Sequence, residues 1–407
     1  MKIRIIVLLI LIFAEINNTA EGCTTFIISG KITPDGKPLL YKNRDTDVMD
    51  NALAWFNDGK YDYIGLVTCD SVWKNNVWGG YNSTGFAIIN SAAYNNNIGD
   101  TTKLEDQEGV IMKMALRYCR TLSDFENLLD TLPKPLGVDA NFGVIDASGG
   151  AAYYETGNFR YVKYDVNDPS VAPNGYLIRT NHSLSGDLTK GFGFCRYNTA
   201  SLAMNEAVTN HQFTPEYLFD HFSRNLFHST TKTNLWDNVP KDTTSDFRFF
   251  IDFIPRRITA SAIMIVGAQD EKHAENTMMW TILGFPLTSV AIPVWIKGGS
   301  QLPVSARMKE DLHSPLCDAA LRLKKDCFPI LIEGQNYINL SVVINQQKTG
   351  YMQLLKPVEN KIFSEANKMI SELDKGKKSK RDIQEYYSWL DSFLTESFKE
   401  SFNIKLN

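Results

Sequence analysis

The sequence predicts an α+β protein in which antiparallel sheets are covered by helices. Two observations predict this class. Strand-like segments come in pairs separated by short turn signals, as in hairpins. The chain also runs from strands to a helical block and back to strands, instead of alternating regularly between strand and helix. It has 407 residues, 43% of them hydrophobic, which is ample for a large core.

The first predicted hairpin begins at Cys23. The segment CTTFIIS is rich in β-branched and aromatic residues, and the turn signal in TPDGKPLL leads into a second strand, LLYKNRD. A second hairpin is predicted at residues 77–93, VWGGYNSTGFAIINSAA. Each hairpin supplies two neighbouring antiparallel strands, so both favour a sheet-based core.

The remaining elements follow from periodicity and length. Apolar residues at helical spacing predict one helix across 110–132, and NFGVIDASGGAAYYE predicts a strand, a turn and a strand within 140–164. We also predict strands at 176–180, 261–269 and 278–283, helices at 197–207, 215–222 and 383–402, and a solvated connection at 374–382.

The N-terminal segment has the layout of a secretory signal peptide. A short positive region precedes an apolar run at 5–14, and the small residues of AEG at 20–22 form a cleavage signal. We therefore expect residues 1–22 to be removed, leaving a secreted or periplasmic chain that starts at Cys23. The apolar run is too short to span a bilayer and no second one follows, so no stable membrane insertion is expected.

A cysteine at the start of a mature chain has two interpretations. Bacterial lipoproteins carry a lipid on such a cysteine, although Ala20 and Glu21 fit the usual lipoprotein pattern poorly. Alternatively, the cysteine is catalytic, because its thiol can attack while its free α-amine, with a reference pKa of about 7.7–8.0, accepts the proton. Acylation of the amine would remove that base, so the two interpretations exclude each other at Cys23.

Composition excludes several classes of protein. The formal net charge is −4 and no basic stripe stands out, so we expect no nucleic-acid partner. Six cysteines are too few for a disulfide scaffold in a chain of this length, although Cys317 and Cys327 could pair. No CxxC or HExxH motif and no local His/Asp cluster is present, so we predict no structural zinc and no cofactor.

Polar residues end the strand that should pair with the strand of Cys23. Lys42, Arg44 and Asp45 crowd this position, and a carboxylate there could hold the α-ammonium group of Cys23. A polar turn after a strand is the structural alternative.

Two asparagines end other predicted strands. Asn90 follows GFAII and Asn181 follows LIRT, and amide or backbone N–H groups at such positions can stabilise an oxyanion. Each asparagine taken alone is better explained by a turn.

Taken together, these motifs resemble the N-terminal-nucleophile (Ntn) cysteine hydrolases of the choloylglycine hydrolase, penicillin V acylase and isopenicillin N acyltransferase type. The resemblance runs from Cys23 to about residue 296. It rests on Cys23-Thr24, on Lys42-Asn43-Arg44-Asp45, on Asn90-Ser91, on Thr180-Asn181-His182 and on the central strand pair ending at Glu155.

The resemblance implies a fold and a set of site residues. The fold is a four-layer αββα sandwich at 23–350, followed by a C-terminal helical extension at 351–407 that has no counterpart in the family. The implied catalytic residues are Cys23, Asp45, Asn90, Asn181 and Arg196, and the implied substrate-binding residues are Lys42, Arg44, Trp55 and Tyr94. Lys42 stands where bile-salt enzymes have arginine, so contacts to bile salts do not transfer directly.

The expected function is hydrolysis of a linear amide C–N bond in a small molecule, without a metal. Acyl transfer to a second amine is the same chemistry with a different acceptor, and the sequence leaves it open. A secreted cysteine Ntn dipeptidase, whose family also begins Cys-Thr-Thr, is one alternative. A surface lipoprotein anchored through Cys23 without catalysis is another. The sequence also leaves open whether identical copies of the chain assemble.

Overall fold

Strands dominate the first three quarters of the structure, a computed structural model that describes residues 22–332 and 334–406. Apart from Gly22, the predicted signal peptide lies outside the described residues. The strands are β1 (Cys23–Ile28), β2 (Leu39–Asp45), β3 (Asn51–Phe56), β4 (Tyr63–Thr68), β5 (Gly79–Asn82), β6 (Ala87–Ala92), β7 (Ala140–Ile145), β8 (Ala151–Thr156), β9 (Tyr161–Asp165), β10 (Tyr176–Arg179), β11 (Phe227–His228), β12 (Thr233–Asn234), β13 (Phe247–Phe249), β14 (Thr259–Val266), β15 (Met278–Leu283), β16 (Ala291–Trp295) and β17 (Tyr337–Asn339).

Two large antiparallel sheets lie face to face. Sheet I contains six strands in the order β10-β1-β2-β14-β15-β16, and sheet II contains β3 to β9 in chain order. Strands β1, β2 and β14 pack across the interface onto strands of sheet II, from β5 to β8. Every residue of β1 and β15 is buried, because a strand covered on both faces needs no polar side.

Helices cover the outer faces of both sheets. They are α1 (Glu108–Tyr118), α2 (Leu122–Thr131), α3 (Phe194–Thr209), α4 (Pro215–His221), α5 (Pro315–Cys327), α6 (Leu340–Val343), α7 (Tyr351–Asp374) and α8 (Lys380–Phe402). Helix α1 packs outside sheet II on β5 and β6, whereas α3 and α7 pack outside sheet I, on β10 and β16 respectively. The expected four-layer αββα arrangement of two antiparallel sheets between helix layers is thus confirmed.

The C-terminal helices belong to the outer layer on sheet I. Ile362 of α7 and Leu390 of α8 are buried in the same hydrophobic cluster as Trp280 and Trp295 of sheet I. Burying apolar surface against the sheet stabilises these helices more than their intrinsic propensity does. No helix among the described residues has the length and apolarity needed to cross a bilayer.

Two local predictions were wrong. The helix predicted across 110–132 is two helices, because Thr121 starts α2 with a capping box in which its side chain accepts from the Asp124 N–H and Asp124 bonds back. Cys317 and Cys327 are free thiols. Both lie in α5, ten residues apart, and at about 1.5 Å rise per residue they are about 15 Å apart, well beyond disulfide reach.

Candidate active site

The register of β1 and β2 decides which side chains share a face with Cys23. Cys23 lies directly opposite Arg44, and Thr25 lies opposite Lys42. Opposed residues of an antiparallel pair point to the same face, so Cys23, Arg44 and Lys42 face sheet II. Asp45 alternates to the other face of sheet I. The polar cluster that the sequence places near Cys23 is therefore divided between two faces.

A cavity of about 410 Å³ lies beside Cys23. The site residues predicted from the sequence that line it are Cys23, Lys42, Arg44, Asn90 and Tyr94, together with Asp45, which borders it at the end of β2 although its carboxylate binds Arg256. Asn181 and Arg196 contact the backbone of Cys23 and are described next. The structure thus brings together eight of the nine side chains that the sequence proposed, the exception being Trp55.

Cys23 is held through its backbone. Its N–H donates to Oδ1 of Asn181 at 3.1 Å, and its carbonyl oxygen accepts from Nη1 of Arg196 at 2.7 Å. Nη2 of Arg196 also donates to Oδ1 of Asn181 at 2.6 Å. Two donors on one amide oxygen fix the orientation of Asn181, while Cys23 itself lines the cavity.

Arg196 is fully buried and still carries its charge at neutral pH. Burial lowers the pKa of Arg196 to about 10, and the nearby charge of Arg256 acts in the same direction, whereas Asp45 and Cys23 oppose the shift. Its position is set by Gly193, whose φ of 79° starts α3 and where a Cβ would lie 2.7 Å from Nη2 of Arg196. Only glycine combines that backbone conformation with such a close approach.

Asp45 does not contact the nitrogen of Cys23. Its carboxylate accepts from Arg256 at 2.7 and 2.9 Å, from the Thr259 hydroxyl at 2.6 Å and from Asn43 at 3.1 Å. Its backbone N–H donates to the carbonyl oxygen of Gly22 at 2.7 Å. The contact to the nitrogen of Cys23 that the sequence proposed for Asp45 is made here by Asn181, and the Asp45 carboxylate instead holds Arg256 behind the site.

The end of β6 supplies backbone groups to the cavity. Nδ2 of Asn181 donates to the carbonyl oxygen of Ala92 at 2.8 Å, while the N–H of Ala93 bonds to Asp139 on the β7 side. Peptide groups alternate along a strand, so residue 92 presents both its C=O and its N–H away from β7. Ala92 lines the cavity, and the NH₂ group of Asn181 lies at its carbonyl oxygen.

Lys42 orients Asn90. The buried Nζ of Lys42 donates to Oδ1 of Asn90 at 2.6 Å and to the carbonyl oxygen of Trp78 at 2.8 Å. The amide oxygen of Asn90 thus faces Lys42, and its NH₂ group is turned toward the cavity. Arg44 is held separately, by Asn51 at 2.6 Å and by the Trp78 ring 4.9 Å below its guanidinium.

The aromatic residues fall into two groups. Tyr94 lines the cavity, with a positive φ of 65° and an edge contact to Phe192. Trp55 is not among the cavity-lining residues of the described chain; it lies on β3 and packs against the core between the sheets. A strand position that points into the inter-sheet core explains why Trp55 does not reach the substrate side.

Besides Asp45, further acidic residues line the cavity. They are Asp100, Glu105, Asp106, Glu108 and Asp139. Burial raises the pKa of Glu108 to about 7, and burial also raises the pKa of Asp139. The lining of the cavity therefore contains both cations, on Lys42 and Arg44, and carboxylates.

His182 has a structural role. Burial lowers its pKa, its Nδ1 lies 3.0 Å from the Phe192 carbonyl oxygen, and its ring stacks on Phe194. A neutral imidazole in that position supports the segment that carries Asn181. Glu155 supports the same segment, because it pairs with buried Arg179 at 2.7 Å and accepts from the N–H groups of residues 184 and 185.

Two residues of the site were missed from the sequence. Arg256 holds the Asp45 carboxylate, and Trp78 carries both the carbonyl oxygen bound by Lys42 and the ring under Arg44. The pair of arginines in IPRRI, directly before the uncharged strand TASAIMIV, was an available signal for Arg256. The sequence offers no such signal for Trp78, because its contacts to Lys42 and Arg44 arise only when distant strands are brought together.

Comparison with known proteins was made at three levels. No protein-family model matches the chain, and no curated protein matches it significantly. A mutant of conjugated bile acid hydrolase from Clostridium perfringens has a TM-score of 0.42 at 12% identity, over 67% of this chain and 92% of that chain. Penicillin V acylase from Agrobacterium tumefaciens has a TM-score of 0.38 at 14% identity, over 67% of this chain and 86% of that chain.

Proposed function

We propose that the protein is a secreted Ntn cysteine hydrolase that cleaves linear amide C–N bonds in small molecules, with Cys23 as nucleophile. The observation that carries this proposal is the environment of Cys23. Its nitrogen is held by Asn181 and its carbonyl by Arg196, and its side chain faces a cavity. Removal of residues 1–22 would convert that held nitrogen into an α-amine.

The α-amine serves as the base. Its reference pKa of about 7.7–8.0 lets it take the thiol proton near neutral pH. Oδ1 of Asn181, which accepts from the Cys23 nitrogen at 3.1 Å, keeps the amine beside the thiol of the same residue. No histidine is required, in keeping with the structural role of His182.

The reaction then proceeds in two halves. The thiolate attacks the acyl carbonyl carbon, the C–N bond breaks, and the α-ammonium returns its proton to the leaving nitrogen, which gives a thioester on Cys23 and a free amine. Water, deprotonated by the same α-amine, attacks the thioester and releases the acid and the thiol. An amine that enters in place of water would make the protein an acyltransferase.

The oxyanion is stabilised from β6 and Asn181. The second hydrogen of the Asn181 NH₂ group, the Ala92 N–H and the NH₂ group of Asn90 are the donors nearest the end of β6. Removal of a single such donor typically costs about 10²–10³ in kcat. Asp45 contributes indirectly, because its carboxylate holds the guanidinium of Arg256.

A secreted cysteine dipeptidase is the second candidate, and the charged lining of the cavity favours it. Glu108 and Asp139 line the same cavity as Lys42 and Arg44. A dipeptide carries an ammonium group at one end and a carboxylate at the other, so it matches this distribution of charge better than a long apolar acyl chain does. Release of amino acids from short peptides, without turnover of fatty or aryl amides, would select this candidate.

The first experiment is an intact-mass measurement and N-terminal sequencing of the exported protein. A free Cys23 is the expected result, and a lipidated, N-acylated Cys23 would overturn the hydrolase proposal in favour of a surface anchor. The protein is then assayed against aryl amides, N-acyl amino acids and dipeptides. Cys23→Ala must abolish turnover. A Cys23→Ala protein that retains activity would contradict the assignment of the nucleophile.

A further inference from the structure

Three metal-binding side chains converge outside the active-site cavity. Cys195 lies in the first turn of α3, His228 ends β11, and Asp252 lies in the loop before β14. One potential ligand atom from each lies within 4.8 Å of the other two. None of the three lines the cavity beside Cys23. The cluster therefore needs an explanation separate from the proposed reaction.

The ligand atoms of the cluster lie within 4.8 Å of one another without direct hydrogen bonds. No hydrogen bond joins Cys195, His228 and Asp252 to one another in the part of the chain that the structure describes. Ligand atoms bound tetrahedrally to zinc at about 2.0–2.3 Å lie about 3.3–3.8 Å from one another. Three donors that lie within 4.8 Å of one another and make no mutual hydrogen bond need only a small inward movement to reach that arrangement.

The surroundings orient the thiol and the imidazole. The Thr230 hydroxyl donates to Sγ of Cys195 at 3.2 Å, and the Thr231 N–H donates to Nδ1 of His228 at 3.2 Å. Phe253 packs against the buried His228 ring. A cation bound at Nδ1 would replace the Thr231 contact, which lies at the long end of hydrogen-bond distances and is therefore inexpensive to break.

The position of Cys195 favours a metal-bound thiolate. Cys195 is the second residue of α3, where the partial positive charge of a helix N-terminus stabilises negative charge. A thiolate, an imidazole and a carboxylate form a mixed S, N, O donor set, which suits Zn²⁺ among the abundant divalent cations, whereas Mg²⁺ and Ca²⁺ prefer oxygen alone.

We propose that Cys195, His228 and Asp252 bind one Zn²⁺ ion, with water in the fourth position. The ion links the start of α3 to the β11 turn and to the loop before β14. Arg196, which holds Cys23, is the next residue along α3. Zinc would therefore fasten the helix end that carries Arg196. The proposal is independent of the proposed amidase activity, because its readout is metal binding.

The test uses the full chain with Cys23 replaced by alanine, since an N-terminal cysteine chelates metals through its amine and thiol. Zn²⁺ binding is measured by titration calorimetry, and Co²⁺ serves as a spectroscopic probe of thiolate ligation. One ion per chain and a sulfur-to-cobalt charge-transfer band are expected. Cys195→Ser should remove the band and weaken Zn²⁺ binding by at least about tenfold, and Asp252→Asn should weaken it similarly.

Cys69→Ser is the matched control, because Cys69 is another partly buried free thiol. It should bind Zn²⁺ and Co²⁺ like the parent chain. Circular dichroism of each variant checks that it is folded. His228→Gln is not needed, since substitution of that buried ring risks unfolding. Absence of stoichiometric Zn²⁺ binding, or a sulfur-to-cobalt band that survives Cys195→Ser, would overturn the proposal.

Discussion

The guanidinium of Arg196 lies 2.6 Å from Oδ1 of Asn181, the oxygen that also accepts the N–H of Cys23. A guanidinium donates only, so the amide of Asn181 must point its oxygen at Arg196 and its NH₂ group at Ala92. This one contact fixes both the nitrogen of the nucleophile and the direction of an oxyanion donor. The guanidinium of Arg196 also donates to the Cys23 carbonyl oxygen, so the positions of Cys23 and Asn181 both depend on this one group.

Arg196→Lys should therefore lower kcat with less effect on KM. Lysine keeps the charge but cannot donate from one planar fork to Cys23 and Asn181 together. Loss of one charge-assisted hydrogen bond costs about 1.5–3 kcal/mol, or at least about tenfold in rate. The measurement is steady-state kinetics on an amide identified by the substrate screen, with thermal unfolding alongside.

Arg224→Lys is the control for that experiment. Arg224 is buried like Arg196 and pairs with Glu359 at 2.6 Å, but it is not among the residues that line the cavity beside Cys23. It should lose stability while kcat stays close to that of the parent protein. Equal kinetic effects in the two variants would mean that Arg196 acts only through stability.

Lys42 and Asn90 should act as one unit. The 2.6 Å contact from Nζ of Lys42 orients the Asn90 amide, so Lys42→Met should lower kcat/KM by releasing that amide. The double variant Lys42→Met/Asn90→Ala should be little worse than the more damaging single variant, because both changes remove the same oriented donor. Additive losses would show separate roles. Lys113→Met, which breaks a pair with Asp58 away from the cavity, is the control.

Local sequence patterns predicted the part of the fold that carries the nucleophile. The β-branched segment after Cys23 and the Pro-Asp-Gly turn were sufficient for β1 and β2, because hairpin formation depends on neighbouring residues. Strands β3 and β4 were not predicted. Their sequences, NALAWF and YIGLVT, are short apolar runs whose pairing becomes evident only when the whole sheet is assembled.

The sequence predicted which residues form the site but not how those residues are arranged. Lys42, Arg44 and Asp45 were correctly placed near Cys23, yet the alternation of β2 sends Asp45 to the opposite face, where Arg256 binds it. Long-range partners of this kind leave no local pattern. The same holds for the cluster of Cys195, His228 and Asp252, which no spacing motif could indicate because its members come from three separate segments.

The contacts of Gly22 lead to a prediction about removal of the N-terminal segment. The carbonyl oxygen of Gly22 accepts from the Asp45 N–H at 2.7 Å, and a Cβ at residue 22 would lie 2.2 Å from Nη2 of Arg256. We predict that the purified full-length chain cleaves itself before Cys23 and that Gly22→Ala slows this at least about tenfold. Intact mass against time is the measurement.

Cys23→Ala is the companion variant for that experiment, and it should abolish maturation. A leader peptidase accepts alanine as readily as glycine at the cleavage site. If the Gly22→Ala chain matured at the parental rate, cleavage by a leader peptidase would be the correct mechanism and the contacts around Gly22 would play no part.

Glu108 predicts a stability change with pH. Burial raises its pKa to about 7 from an ordinary value of 4.5, so between these values the folded chain holds a proton that the unfolded chain releases. The stabilisation that protonated Glu108 gives the folded chain is complete below pH 4.5 and is lost as pH rises to about 7. Glutamine stays neutral at every pH. Between about pH 5 and pH 8, the free energy of unfolding of Glu108→Gln should therefore fall by about 2 kcal/mol less than that of the parent protein. Urea unfolding across this range is the measurement.

Glu126→Gln gives the opposite sign and serves as the control. Burial alone would raise the pKa of Glu126, but its hydrogen bonds with Lys163 and Tyr154 outweigh burial and lower it. The contribution of Glu126 is therefore present at neutral pH and is lost on acidification. Glu126→Gln should be less stable than the parent near pH 7 and should approach it in acid, whereas Glu108→Gln should gain on the parent as pH rises. If the curves of parent and Glu108→Gln ran parallel, Glu108 would be ionised throughout this range and would already carry its charge in the cavity at pH 5.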